Sequence, residues 1–91
     1  MRWLEIIELR SATSKWKKMA TQIKKMITDL NRDTGNHSLT AYSQAMIEND
    51  FSIHLTHESC SVEKNGSSLG LHLASVLREY GMVNHSVWIE L

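Results

Sequence analysis

The chain has 91 residues, 42% of them hydrophobic and 22% charged, and its ten basic and ten acidic side chains cancel. That length fits one domain, the composition excludes a disordered chain, and zero net charge gives no pull toward nucleic acid or membrane. A single cysteine rules out an internal disulfide and a cysteine-rich zinc module, and no apolar run reaches the 18 residues of a membrane span.

The first segment, Arg2 to Arg10, places Trp3, Ile7 and Leu9 in one alternating phase and Leu4 and Ile6 in the other. Both faces are partly apolar, which predicts a central strand, β1, covered on two sides. Thr13 or Ser14 is a candidate N-cap for the helix that follows. Trp16, Met19, Ile23, Met26, Ile27 and Leu30 recur at three- and four-residue spacing and fill an arc of about 100°. This predicts helix α1 over Lys15 to Leu30, with Gly35 ending the connection after it.

Leu39 to Glu48 alternates weakly and is read as β2. Asn49 and Asp50 form a turn pair. Phe51, Ile53, Leu55 and His57 then alternate with Ser52, His54, Thr56 and Glu58. This is the clearest strand pattern in the chain, β3, and it makes a hairpin with β2.

Ser67 or Ser68 caps a second helix, α2, whose apolar stripe runs from Leu69 through Leu73, Val76 and Leu77 to Tyr80. Gly81 stands where a left-handed residue closes such a helix. Val83, His85, Val87, Ile89 and Leu91 alternate with Met82, Asn84, Ser86, Trp88 and Glu90 to give β4.

The order β-α-β-β-α-β, with right-handed crossovers, yields a ferredoxin-like α+β domain: a four-stranded antiparallel sheet in the order 4-1-3-2 with both helices on one face. The other face still carries apolar residues, whichever phase of β1 it receives. An uncovered patch of that kind predicts a two-fold homodimer packed sheet on sheet.

This order over the whole chain, the apolar outer face and the closing His-Ser-Val-Trp-Ile-Glu-Leu strand resemble the dimeric α+β barrel superfamily, and within it small proteins of the antibiotic biosynthesis monooxygenase type. The resemblance rests on architecture and carries no catalytic signature. It implies a small apolar or aromatic ligand between sheet and helices, and cofactor-independent monooxygenase activity on it. A non-catalytic structural dimer is the competing reading, and a heme-handling protein, as in some members of that superfamily, is a third.

His57 and His85 are the candidate catalytic groups, each a proton acceptor in an apolar pocket. The competing reading is a hydrogen-bonded core or interface histidine. Both share the dominant apolar phase of their strands, but β1 separates them, and strand spacing and rise put them more than about 10 Å apart. A shared metal is therefore not expected, and no cofactor is implied by the residues. Trp3, Tyr42 and Trp88 are the candidate pocket lining. His72, on the border of the α2 stripe, and Asn84 complete the candidate set through the heme-handling comparison.

Other features read as ordinary surface. Residues 1–32 carry eight basic and three acidic groups and residues 33–91 two and seven. The lysines of α1 fall opposite its apolar arc, with no interleaved aromatics and no nucleic-acid motif. The Asn65–Gly70 stretch could offer free N–H groups to an anion, though capping explains it. Cys60 lies three residues after His57 with no visible oxyanion site. Leu71 points away from the α2 stripe. Charge appears too early in the sequence for a secretion signal, which gives a cytoplasmic expectation.

Overall fold

A computed structural model describes residues 1–11, 16–32, 37–47 and 49–91 of the chain. The elements are β1 (Arg2–Ser11), α1 (Trp16–Asn31), β2 (His37–Ser43), β3 (Asp50–Glu58), α2 (Ser68–Leu77) and β4 (Gly81–Ile89). The four strands form one antiparallel sheet in the order β2-β3-β1-β4. This is the ferredoxin-like arrangement anticipated from the sequence, read from the other edge.

The two phases of β1 separate cleanly. Trp3, Glu5, Ile7, Leu9 and Ser11 are buried on the helix side, whereas Leu4 and Ile6 lie half-buried on the open side. β3 follows the same rule, with Phe51, Ile53 and Leu55 inside. α1 lies over β2, and α2 over β1 and β4. Met19, Ile23 and Ile27 of α1 and Leu73, Ala74 and Leu77 of α2 close the core over these strands. Each large side chain buried this way contributes about 1.5–3 kcal/mol of transfer free energy.

Two side chains tie helix and loop to the sheet. Asn31, the last residue of α1, donates through Nδ2 to the Leu39 carbonyl at 2.8 Å and accepts from the Leu39 amide at 3.0 Å. It behaves as a short piece of strand beside β2. Asn49 does the same for the end of β1, exchanging hydrogen bonds with Ser11 through its own carbonyl and its side-chain amide.

Several expected boundaries move. β2 runs from His37 to Ser43 rather than from Leu39 to Glu48. One further backbone bond, from the Gln44 amide to the Asp50 carbonyl at 2.9 Å, follows it, and the Gln44 side chain accepts from the Met46 amide to hold a bend. α2 ends at Leu77, so Tyr80 does not continue its buried stripe and is 42% exposed. Gly81 is not a left-handed cap. Arg78 caps α2 in a right-handed conformation, and Gly81 opens β4. The cap assigned to Thr13 or Ser14, and Gly35, lie outside the described residues, as does the Trp16 side chain.

Candidate functional site

Glu5 occupies the centre of β1 in the phase of Trp3, Ile7 and Leu9, and its side chain is fully buried. A carboxylate in that position demands compensation. Four donors supply it. The Ser67 amide reaches Oε1 at 3.0 Å and the Ser67 hydroxyl reaches Oε2 at 2.5 Å. Nε2 of His85 lies 2.8 Å from Oε1, and Nε2 of His57 lies 2.5 Å from Oε2. Among the described residues, no buried side-chain polar atom lacks a partner.

The register explains the convergence. His57 faces Trp3 across the β1–β3 ladder, and His85 faces Ile7 across the β1–β4 ladder. Each histidine is thus a diagonal neighbour of Glu5, one on either side, within reach of a long side chain. The expectation that β1 keeps the two histidines apart is corrected here. β1 does separate their strands, but its own residue 5 is the acceptor that joins them.

The N-terminus of α2 completes the site. Ser67 is the N-cap, and its Oγ accepts from the Gly70 amide at 3.0 Å while donating to Glu5. The anion that a helix N-terminus favours is supplied by the chain's own Glu5. The backbone must come close for this to happen. Gly66 has φ +101°, and a Cβ there would stand 2.5 Å from Cε1 of His85. A Cβ at Gly70 would stand 2.0 Å from Oε1 of Glu5.

Burial alone pushes the Glu5 carboxyl up. The Ser67 hydroxyl, His57, His85 and the Ser67 amide together outweigh it and hold the group below its ordinary range. The site is therefore an ionised carboxylate that orients two imidazoles. Among the described residues, no three His, Cys, Asp or Glu side chains are grouped so as to hold a metal ion.

The remaining candidate residues divide between the two faces of the sheet. Trp3 belongs to the Glu5 side. Its ring stacks on His57 with centroids 4.0 Å apart and an 18° tilt, and its Nε1 donates to Ser59 Oγ at 2.8 Å. Tyr42, Asn84 and Trp88 lie on the opposite, open face. Tyr42 leans on His54 at 4.7 Å, Asn84 donates to Glu8 at 3.4 Å, and Nε1 of Trp88 donates to Ser86 at 2.9 Å. A single pocket lined by Trp3, Tyr42 and Trp88 does not form, because an odd and an even position of one sheet point to opposite sides. His72 is exposed on α2, so the heme-handling set of His72, Asn84, Trp3 and Trp88 is not brought together. Cys60 is exposed, and Leu71 is 49% exposed.

An open depression of ≈ 740 Å³ lies at the far end of the sheet, where Glu8, Arg10, Tyr42, Ser52, Met82 and Asn84 meet the bend at Gln44–Ile47. It borders the open face and is remote in register from Glu5. A smaller cleft of ≈ 60 Å³ separates the helices at Met19, Met26, Val76 and Tyr80.

Glu5 was absent from the sequence-derived site. Its signal was a charged residue in the apolar phase of a strand read as central. No helix is long and apolar enough to cross a membrane among the described residues. None of the family models, curated proteins or solved structures compared with the chain matches it.

Proposed function

We propose that this protein works as a two-fold homodimer that binds a small, partly apolar molecule at its open sheet face. The observation that carries the reading is the uncovered band of Leu4, Ile6 and Trp88, the last 58% exposed, which leads into the 740 Å³ depression. No helix lies over this face among the described residues.

The charge pattern of the face also supports it. Both signs of charge are present at each end of the face, Arg2 pairing with Glu58 at 2.9 Å and Glu90 at 3.9 Å, and Arg10 with Asp50 at 3.7 Å. Such a face suits a copy of itself better than a strongly charged partner. In such a dimer the partner's sheet would roof the depression. Tyr42, Met82 and Ile47 would then supply apolar contact, and Asn84, Arg10 and Ser52 would fix polar groups.

Native mass spectrometry at micromolar concentration tests the reading. The expected species is a dimer, with added mass where a ligand is retained, and Trp88→Glu shifts it to a folded monomer. A wild-type monomer would sink the proposal. Oxygen uptake on any retained molecule then tests the oxygenase chemistry that the resemblance implies.

A further inference from the structure

The carboxylate of Glu5 decides which nitrogen of His85 carries the proton. An ionised carboxylate accepts hydrogen bonds and donates none, and Glu5 already receives the amide and the hydroxyl of Ser67. The 2.8 Å contact between Oε1 and Nε2 of His85 therefore requires the hydrogen on Nε2. In the neutral ring the lone pair then sits on Nδ1. Among the described residues Nδ1 of His85 has no protein partner, yet no buried polar side-chain atom is left unpaired. That nitrogen must reach solvent, consistent with a side chain 9% exposed.

Its position favours approach from outside. β4 is the terminal strand of the sheet among the described residues. Gly66, which has no side chain, lies against the Cε1–Nε2 edge of the His85 ring, the edge that faces Glu5. His57 shares Glu5, but one face of its ring is covered by Trp3.

We propose that Glu5 and His85 form a proton-accepting dyad that opens at the β4 edge and takes a ligand bearing a weakly acidic hydroxyl, a phenol or an enol. The hydroxyl proton moves to Nδ1 of His85. The ligand becomes an oxyanion and the ring an imidazolium, whose Nε2–H stays on the negative carboxylate of Glu5. An imidazole base suits a phenol or enol acidified by an electron-withdrawing group, whereas aliphatic alcohols hold their protons too tightly. His85 is the acceptor and Glu5 the positioning residue, keeping the tautomer and stabilising the charge that develops. The other groups facing the carboxylate are His57 from β3 and Ser67 at the start of α2. The site lies on the helix side of the sheet and stands or falls independently of the proposed dimer.

Two measurements test it on the wild-type and variant proteins. Nitrogen-15 NMR of the histidine rings reads the tautomer directly, and neutral His85 is expected as the Nε2–H form. A neutral His85 in the Nδ1–H form would overturn the proposal without any variant having to fold. The second probe is 4-nitrophenol at pH 6, followed by its phenolate absorbance. The wild-type protein is expected to raise the phenolate fraction saturably, about threefold. His85→Phe and Glu5→Gln abolish the rise, and Ser75→Ala, on the exposed side of α2, retains it. A wild-type protein that leaves the phenol unionised, or a His85→Phe protein that ionises it as well as wild type, would overturn the proposal.

Discussion

Gly70 lies directly against the carboxylate of Glu5, so close that a Cβ at position 70 would stand 2.0 Å from Oε1. Alanine is the better helix former by about 1 kcal/mol in an exposed helix. Here the clash reverses the sign, because Glu5 cannot retreat without giving up the Ser67 amide. Gly70→Ala is expected to destabilise the fold by about 2 kcal/mol or more, while Ser75→Ala on the exposed side of the same helix leaves it nearly unchanged. Thermal unfolding of the two variants checks this. An unchanged melting temperature for Gly70→Ala would mean that the helix does not sit on the carboxylate.

Removing the carboxylate strands its donors. Glu5→Ala leaves the Ser67 amide and hydroxyl and two imidazole N–H groups facing a cavity, and the expected loss is about 3–5 kcal/mol. Glu5→Gln keeps the volume but turns one acceptor into a donor, which opposes either the Ser67 hydroxyl and His57 or the Ser67 amide and His85. Its expected loss is about 2 kcal/mol. Urea unfolding ranks the two, and a Glu5→Ala protein as stable as wild type would refute the account of the buried cluster.

Much of this architecture was legible in the sequence. The two apolar phases of β1, the alternation of β3 and the stripe of α1 each reported burial, and the strand order then follows from the element order. The cluster was half legible. Glu5 interrupts the Trp3–Ile7–Leu9 phase, and Gly66 and Gly70 stand four apart around a capping serine, but neither signal names its partner. The pairing of His57 and His85 through Glu5 depends on register to the residue, and a shift of two positions in either ladder would break it. The early end of β2 was hidden for a different reason. Ala45 and Ile47 keep the apolar phase of Leu39 and Ala41 going, while the Gln44 side chain holds a bend by accepting from the Met46 amide.

Ser67 holds two jobs that respond differently to substitution. As an N-cap it is replaceable by aspartate at little cost. As a donor to Glu5 it is not, because an aspartate would place a second carboxylate against the first. Ser67→Ala is expected to lose about 2 kcal/mol, for the cap and for the bond to Glu5. Ser67→Asp is expected to be at least as unstable at pH 7, and to recover relative to Ser67→Ala as the pH is lowered toward the carboxylate range. Aspartate performing better than alanine at pH 7 would show that capping alone matters at this position.

The acid limb of the stability curve carries the signature of Glu5. Its carboxyl is held below the ordinary range in the fold, burial being outweighed by Ser67, His57 and His85. In the unfolded chain the same group takes up its proton at about pH 4.3. The stabilisation is therefore complete above that value and disappears as the pH falls through the lower folded one, since the unfolded state binds the proton first. Wild type should lose stability steeply across this window, and Glu5→Gln, with nothing to titrate at position 5, should lose it less steeply. Urea midpoints measured from pH 6 down to pH 2.5 on both proteins supply the comparison. Parallel curves would mean that Glu5 is not the carboxylate whose protonation the fold resists.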